Sequence, residues 1–239
     1  MSRYYTRACN FYYGLKSKKL VKKKKSLPLN GNERVSFDKI EIISRKSKKK
    51  ISITKIKDLP NFIKKKIKID IKIITKRKRK IKNLNLSSTP LIMGVLNITP
   101  DSFSDGGKFN KDKLAKKQLD YLFKSGADLI DIGGESTRPG SRTVKSNVEW
   151  NRIKNVLKKI DKKKIFSLDT RKSNIMEKGI KLGVKIINDV SGLSYDKNTI
   201  HILKKYKTPF VLQHSLGNPD VMQNNPKYKN VLLDIYDFF

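Results

Sequence analysis

The chain has 239 residues, a hydrophobic content of 37% and a formal net charge of +35, so it is long and apolar enough to build a buried core. Its single cysteine, Cys9, excludes an intrachain disulfide framework. No apolar run approaches the roughly 18 residues that span a bilayer, and the start of the chain has no hydrophobic signal core, so we expect a cytoplasmic protein without a membrane segment.

Basic residues are concentrated in the first third of the chain. Residues 1–90 hold 29 Lys/Arg against 5 Asp/Glu, whereas residues 91–239 hold 27 against 16. Three interpretations are open: a solvated lysine surface, a nucleic-acid patch and a polybasic arm on an anionic membrane. A nucleic-acid patch would interleave aromatic and basic residues, but the aromatic residues from Tyr4 to Tyr13 precede the lysine runs. The solvated surface is favoured, and neither nucleic acid nor a membrane is the expected partner.

Residues 1–86 are predicted to form a small, β-rich accessory region. Between residues 36 and 75, the runs VSFDKIEII and KIKIDIKII alternate apolar and polar residues, which is typical of strands with one face in water. Asn30-Gly31 is a candidate turn. The stretch NLNLSSTP, residues 83–90, is predicted to link this region to the second part.

The second part, residues 87–239, contains five short apolar segments: LIMGVLNI, DLIDIGG, KIFSLDT, VKIINDVSG and PFVLQHS. Their continuous apolar character is typical of strands that are covered on both faces. Amphipathic helical stretches lie between them, and Ala115, Leu119 and Leu122 share a face of the first. Alternating strands and helices predict a parallel α/β sheet, either an open doubly wound sheet or a (β/α)8 barrel.

Each apolar segment ends in polar or ionisable residues, and in both architectures functional groups lie at the carboxyl ends of the strands. The ends carry Asn97 with Asp101 and Asp105, Glu135 to Arg138, Asp169 to Arg171, Asn188 with Asp189, and His214. Structural interpretations are also open: the first loop could form Asx and Ser turns, and Glu135 could pair with Arg138 at the surface. Asp169 and Asn188 are the strongest candidates, because a carboxylate or amide that ends an apolar run must find partners.

The stretches LIMGVLNITPDSFSDGG and GADLIDIGGESTRPGS resemble the two signature stretches of the dihydropteroate synthase family of pterin-binding enzymes. FSLDT, KIINDVSG and HSLGNPDVMQ resemble the next three strand ends of that family, in the same order, so that the resemblance covers about residues 91–239. It implies a partial TIM barrel with the first five βα units. It also implies a Mg²⁺-dependent transferase of folate biosynthesis, which joins 6-hydroxymethyl-7,8-dihydropterin pyrophosphate to p-aminobenzoate and releases pyrophosphate.

The resemblance assigns roles to four residues at strand ends. Asn97 would be the protein ligand of Mg²⁺, a cation that prefers oxygen ligands. Asp169 and Asn188 would read the pterin ring, and Asp169 would also stabilise positive charge that develops on the pterin methylene. His214 would contact substrate.

Two loops would complete the site by the same resemblance. In the first, NITPDSFSDGG, Phe103 would pack against the aminobenzoate ring and Asp105 would pair with Arg138 on closure. In the second, Thr137 and Arg138 would contact pyrophosphate, and Pro139 would form another wall for the ring. We expect the first loop to open for substrate and to close over pyrophosphate.

Two departures and two alternatives accompany the resemblance. The chain stops at Phe239, before three barrel strands and the family's late Asp, Lys, Arg and His, so we expect a fragment or a truncated gene that is inactive alone and a homodimer when full length. Gln213 stands where a Met is common. A related pterin-binding methyltransferase would not need the two loops, and a basic nucleic-acid-binding protein with a barrel remnant is the other alternative.

Overall fold

The protein is described here by a computed structural model, which covers residues 4–77, 81, 84, 90–99, 108–136, 141–216 and 225–239, with the backbone alone for 108–112. The chain groups into two compact units. The first comprises Met1–Lys80, Asn85–Ser88 and Tyr228–Phe239, and the second comprises Ile81–Leu84 and Thr89–Lys227. None of the helices formed by the described residues is long and apolar enough to span a bilayer.

The described residues of the first unit form an antiparallel sheet, three α-helices and one 3-10 helix. Its elements are β1 (Tyr5–Tyr13), α1 (Gly14–Lys22), β2 (Leu27–Leu29), β3 (Asn32–Ile43), β4 (Lys48–Ser52), the 3-10 helix Ile53–Asp58, α2 (Asn61–Thr75) and α7 (Val231–Phe238). The long strand β3 pairs with β1 along one edge and with β2 and β4 along the other. Its core is apolar and includes Phe37, Ile40 and Ile67, all of which are fully buried.

The run KIKIDIKII, predicted to be a strand, is instead part of helix α2. Ile67 is fully buried and Ile71 packs against the same core, whereas Ile69 is 52% exposed and Ile73 is 66% exposed. A run with isoleucine at every second position also places isoleucine at every fourth position. It therefore fits a helical face as well as a strand, and the 15-residue length favours the helix.

In the part of the second unit that the structure describes, five parallel strands alternate strictly with four helices. They are β5 (Met93–Asn97), α3 (Lys108–Lys124), β6 (Leu129–Gly133), α4 (Ser146–Leu157), β7 (Phe166–Asp169), α5 (Ser173–Leu182), β8 (Ile186–Asp189), α6 (Thr199–Tyr206) and β9 (Phe210–Leu212). The strands pair in chain order, and every pair is parallel. The predicted parallel α/β sheet is therefore confirmed, and each predicted strand segment contains one of these strands.

The helices cover one face of this sheet. Ala115 of α3 and Ile153 of α4 are fully buried in the same core as Ile132 of β6. At Gly94, an added Cβ would lie 3.3 Å from the side chain of Leu122, so a small residue lets α3 approach the strand closely. The predicted apolar face of the first helix thus packs where the sequence pattern placed it.

The opposite face is covered unevenly. The inner strands β6, β7 and β8 are almost wholly buried, whereas Val95 of β5 is 54% exposed and Val211 of β9 is 44% exposed. The prediction that all five strands are covered on both faces is therefore wrong for the two outer strands. Each of them has a neighbour on one side only among the described residues.

Candidate functional site

A row of polar side chains crosses the carboxyl ends of four neighbouring strands. In the strand register, Asn97 is paired with Gly133, Gly133 with Asp169, and Asp169 with Asn188. Residues that are paired across parallel strands lie on the same face, about 4.8 Å apart, so the row spans about 14 Å. All three polar residues of the row are half-buried, which leaves part of each side chain accessible to a ligand.

Gly133 keeps a gap between an amide and a carboxylate. An added Cβ at this position would lie 3.1 Å from Oδ1 of Asn97 and 3.5 Å from Oδ2 of Asp169. A side chain here would therefore fill the space that the two oxygens border. Because both groups offer hard oxygen donors, the gap suits a cation such as Mg²⁺ that completes its shell with phosphate oxygens and water.

A buried carboxylate lies one step below the row, on the same face of β6. Asp131 is 4% exposed, and the side-chain amide of Asn188 donates a hydrogen bond from Nδ2 to its Oδ2 at 2.9 Å. Burial raises the pKa of Asp131, and the side chains of Ser167 and Asn188 oppose this effect only in part. Sequence reasoning missed this residue, although a carboxylate in the middle of the apolar segment DLIDIGG is the signal that could have found it.

Four charged residues form a buried ion cluster behind the strand ends. The Nζ of Lys172 lies 2.6 Å from Oε2 of Glu135 and 2.5 Å from Oε2 of Glu149, and Nη2 of Arg171 lies 3.3 Å from Oε1 of Glu135. Burial alone would raise the pKa of Glu135, but the hydrogen bonds from Lys172, Val144 and Arg171 outweigh it and the pKa lies below its ordinary value. For Glu149 burial dominates, and the pKa is raised.

The ion cluster holds the residues on both sides of segment 137–140. Oε1 of Glu135, which precedes the segment, accepts a hydrogen bond from the backbone N–H of Val144 at 2.9 Å. Nη2 of Arg171 donates to Oγ1 of Thr143 at 2.7 Å, and its guanidinium lies 4.1 Å from the ring centre of Tyr195. These bonds join the flanks of the segment to the loop that follows Asp169. Among the described residues, Glu135 therefore has a set of buried partners. Its pairing with Arg138, which lies outside the described residues, stays a prediction.

The described residues include four of the site residues named from the sequence. Asn97, Asp169 and Asn188 lie in one row, and the half-buried His214 follows the neighbouring strand β9. Asp189, also at a strand end, is fully buried and accepts hydrogen bonds from Ser191 and Leu193, which is a turn-forming role. The other named site residues lie outside the described residues: Phe103, Asp105, Thr137, Arg138 and Pro139.

Comparisons with known proteins agree with this arrangement. Residues 93–239 match the family model described as pterin binding enzyme. The dihydropteroate synthase of Clostridium beijerinckii is 41% identical over 158 residues, which cover 64% of this chain and 55% of that protein. The chain thus spans about half the length of this curated relative.

Solved structures give the same picture. The dihydropteroate synthase of Clostridium difficile in the presence of pteroic acid has a TM-score of 0.57 at 42% identity, over 62% of this chain and 55% of that one. The enzyme of Xanthomonas albilineans with 4-aminobenzoic acid has a TM-score of 0.57 at 35% identity, over 63% of this chain and 54% of that one.

Proposed function

The chain belongs to the pterin-binding enzyme family, and from that premise we propose that it carries part of the active site of a dihydropteroate synthase. The reaction joins 6-hydroxymethyl-7,8-dihydropterin pyrophosphate to p-aminobenzoate, with 7,8-dihydropteroate and pyrophosphate as products. In this proposal the five parallel strands are part of a (β/α)8 barrel, and the substrates meet at the carboxyl ends of the strands.

One observation carries the proposal: Asn97, Asp169 and Asn188 stand in one row across neighbouring strand ends. A flat heterocycle with a fixed edge of donors and acceptors needs groups that are held rigidly in one plane, and adjacent strand ends supply that rigidity. Asp169 and Asn188 are directly paired in the register. They offer an acceptor and an amide side by side for the pterin.

Asp169 has a second role in the proposal. When pyrophosphate leaves the pterin methylene before the amine has fully attacked, positive charge develops on that carbon. A nearby carboxylate stabilises this charge more in the transition state than in the ground state, and so accelerates the reaction. Asp169 is half-buried, so water screens this interaction less than at an exposed position.

Asn97 is the proposed protein ligand of Mg²⁺, which would neutralise charge on the pyrophosphate leaving group. The gap over Gly133, bordered by Oδ1 of Asn97 and Oδ2 of Asp169, supports this assignment. Asn97 would thereby orient the pyrophosphate end of the substrate, while Asp169 and Asn188 orient the ring end.

The residues outside the described ranges keep the roles that the family resemblance gives them. Thr137 and Arg138 would bind pyrophosphate, Phe103 and Pro139 would pack against the p-aminobenzoate ring, and Asp105 would pair with Arg138. His214 would contact substrate from the strand next to Asn188. A cytoplasmic location and a homodimer of the whole protein are part of the same proposal.

Ligand binding tests the proposal directly. Pteroic acid titrated against the chain should bind, and Asp169→Asn should weaken binding by about ten-fold or more because a charge-assisted hydrogen bond is lost. Asp161→Asn, which alters an exposed carboxylate outside the row, is the matched control and should bind as the unmodified chain does. Absence of pteroic acid binding, or equal binding by the Asp169 variant, would count against the proposed site. For the whole protein, formation of dihydropteroate from the two substrates is the corresponding activity measurement.

A second candidate function, nucleic-acid binding by the first unit, is favoured by one feature. A cavity of about 530 Å³ is lined by Lys39, Lys49, Lys50 and Lys55. Four phosphate contacts to single-stranded RNA would give a slope of about −3 in a plot of log affinity against log salt. Lys50→Glu should then weaken RNA binding more than Lys158→Glu, a change at an exposed lysine of the second unit. Equal effects of the two changes would argue against this function.

A further inference from the structure

Asp131 is an unusual residue for its place in the fold. It lies in the middle of β6, in the strand next to the outermost one, between two isoleucines of the same strand, and it is only 4% exposed. Burying a carboxylate in the middle of a strand is unfavourable unless other groups compensate for the lost water. An aliphatic side chain at this position would carry no such desolvation cost, so packing alone does not explain the carboxylate.

Asp131 accepts a hydrogen bond that reaches across a strand. Asp131 is on β6 and Asn188 is on β8, with β7 between them in the sheet, and the bond from Nδ2 to Oδ2 is 2.9 Å long. The inward-facing residue of β7 in register with Asp131 is Ser167. A small side chain at this position leaves room for the two longer ones to meet above it.

This bond fixes which way the Asn188 amide faces. The amide turns its NH₂ group toward Asp131, which is the orientation that a carboxylate requires of its donors. The carbonyl Oδ1 is then the branch of the amide that does not face Asp131. Without that partner, an amide can rotate by 180° and exchange donor for acceptor at almost no change in shape.

We propose that Asp131 is a positioning residue, which holds the Asn188 amide with its carbonyl oxygen available as an acceptor for N–H donors on the pterin ring. The inference rests on the proposed function, because it concerns ring recognition at the same site. Asp131 is buried one step below the row, so it acts through Asn188 and does not itself contact the ligand. A flipped amide would place its NH₂ group against an N–H donor of the ring. This would weaken binding of the ring without altering the fold.

The experiment measures pteroic acid binding by the chain and by five variants. Asp131→Asn keeps the shape but lets the new amide donate or accept, so Asn188 is no longer held in one orientation, and binding should weaken about ten-fold, or about 1.4 kcal/mol. In an Asn188→Ala background, Asp131→Asn should change binding by less than about two-fold, because coupled residues are not additive. Additive losses would mean that Asp131 contacts the ligand directly and would overturn the inference, as would full binding by Asp131→Asn alone.

Ser167 provides a matched pair of controls. Ser167→Ala keeps the space above β7 open and removes only the hydroxyl beside Asp131, so it should lose much less binding than Ser167→Val, which fills the space and should weaken binding as Asp131→Asn does. Thermal unfolding of each variant identifies any change that merely unfolds the chain. Equal binding by the alanine and valine variants would contradict the proposed path of the hydrogen bond.

A ligand-free measurement separates this inference from the proposed function. In ¹⁵N spectra, the side-chain amide protons of Asn188 should exchange slowly with water and should lose this protection in Asp131→Asn. If the chain fails to bind pteroic acid but shows this protection, the proposed function is wrong and the positioning bond stands. If pteroic acid binds and Asn188 is unprotected in the unmodified chain, the positioning role is wrong.

Discussion

Lys172→Met should strongly destabilise the second unit. Lys172 is the only described cation within salt-bridge distance of Glu149, whose side chain has no exposed surface. Glu135, the other partner of Lys172, keeps Arg171 at 3.3 Å and the backbone N–H of Val144. The substitution therefore leaves the buried carboxylate of Glu149 without a cation and removes one of the two cations that pair with Glu135.

The expected cost is about 3–5 kcal/mol in the free energy of unfolding, the range for breaking a buried pair by removal of one partner. Glu149→Gln should cost less, because Lys172 then keeps Glu135 at 2.6 Å. The double variant should be more stable than the sum of the two single losses predicts, since the uncompensated charge is gone, with a coupling of about 1–3 kcal/mol.

The measurement is urea unfolding followed by tryptophan fluorescence. The chain has one tryptophan, Trp150, which packs against the core of the second unit, so its emission reports that unit separately from the first. The pKa of Glu149 is raised by burial, and loss of Lys172 raises it further. The deficit of Lys172→Met is therefore largest above this pKa and shrinks as the pH falls through it, because the carboxyl is then neutral. A deficit below about 1 kcal/mol at pH 7, or one that grows on acidification, would refute this account of the ion cluster.

Further predictions concern three other positions. Gly133→Ala should displace Oδ1 of Asn97, which would lie 3.1 Å from the added Cβ. It should weaken Mg²⁺-dependent pyrophosphate binding, measured by calorimetry, and should change the melting temperature little. Tyr206, Lys205 and Lys181 lower the pKa of Glu177 from 4.5 to about 2, so the stability that this carboxylate contributes is present above pH 4.5 and is lost as the pH falls toward 2. Glu177→Gln should flatten that acid limb in pH-dependent unfolding. Ile67→Ala, at a fully buried position, should cost about 2–5 kcal/mol in unfolding followed by circular dichroism, whereas Ile69→Ala at a 52% exposed position should cost far less.

The second unit was the more predictable part of the fold because each of its signals is local. Continuous apolar segments, helical faces such as that of Ala115 and Leu119, and polar strand ends are all read within a few residues. Once the strands are parallel and adjacent, geometry alone gathers their carboxyl ends at one edge. This is why the strand-end residues, with Asn97, Asp169 and Asn188 among them, could be expected at one edge of the sheet. The resemblance to the pterin-binding family then gave these three their roles.

The first unit shows where local patterns fail. Alternating isoleucines in KIKIDIKII satisfied two periodicities, and only packing of Ile67 against β3 decides between them. The sequence placed residues 87–239 in one domain, yet helix α7 packs in the first unit, where Tyr5 donates a hydrogen bond to Asp237 across 232 positions of the chain. Arg45 pairs with Asp234 and Asp237 in the same contact. No periodicity within either segment carries information about the other, so a contact of this separation could not be anticipated.

Asp131 combines both situations. Its own segment identifies it as a carboxylate within an apolar strand, but its partner lies 57 positions away on a strand that is not its neighbour. The bond depends on three properties at once. The strands β6, β7 and β8 are parallel and adjacent, and their register places Asn188 one step above Asp131. The side chain of Ser167 on β7 is small enough for the Asn188 amide to reach Asp131 above it. Each property is unremarkable alone, and only their coincidence directs the Asn188 amide. The orientation of that amide is therefore a property of the assembled sheet, and it is the feature on which recognition of a ring edge would depend.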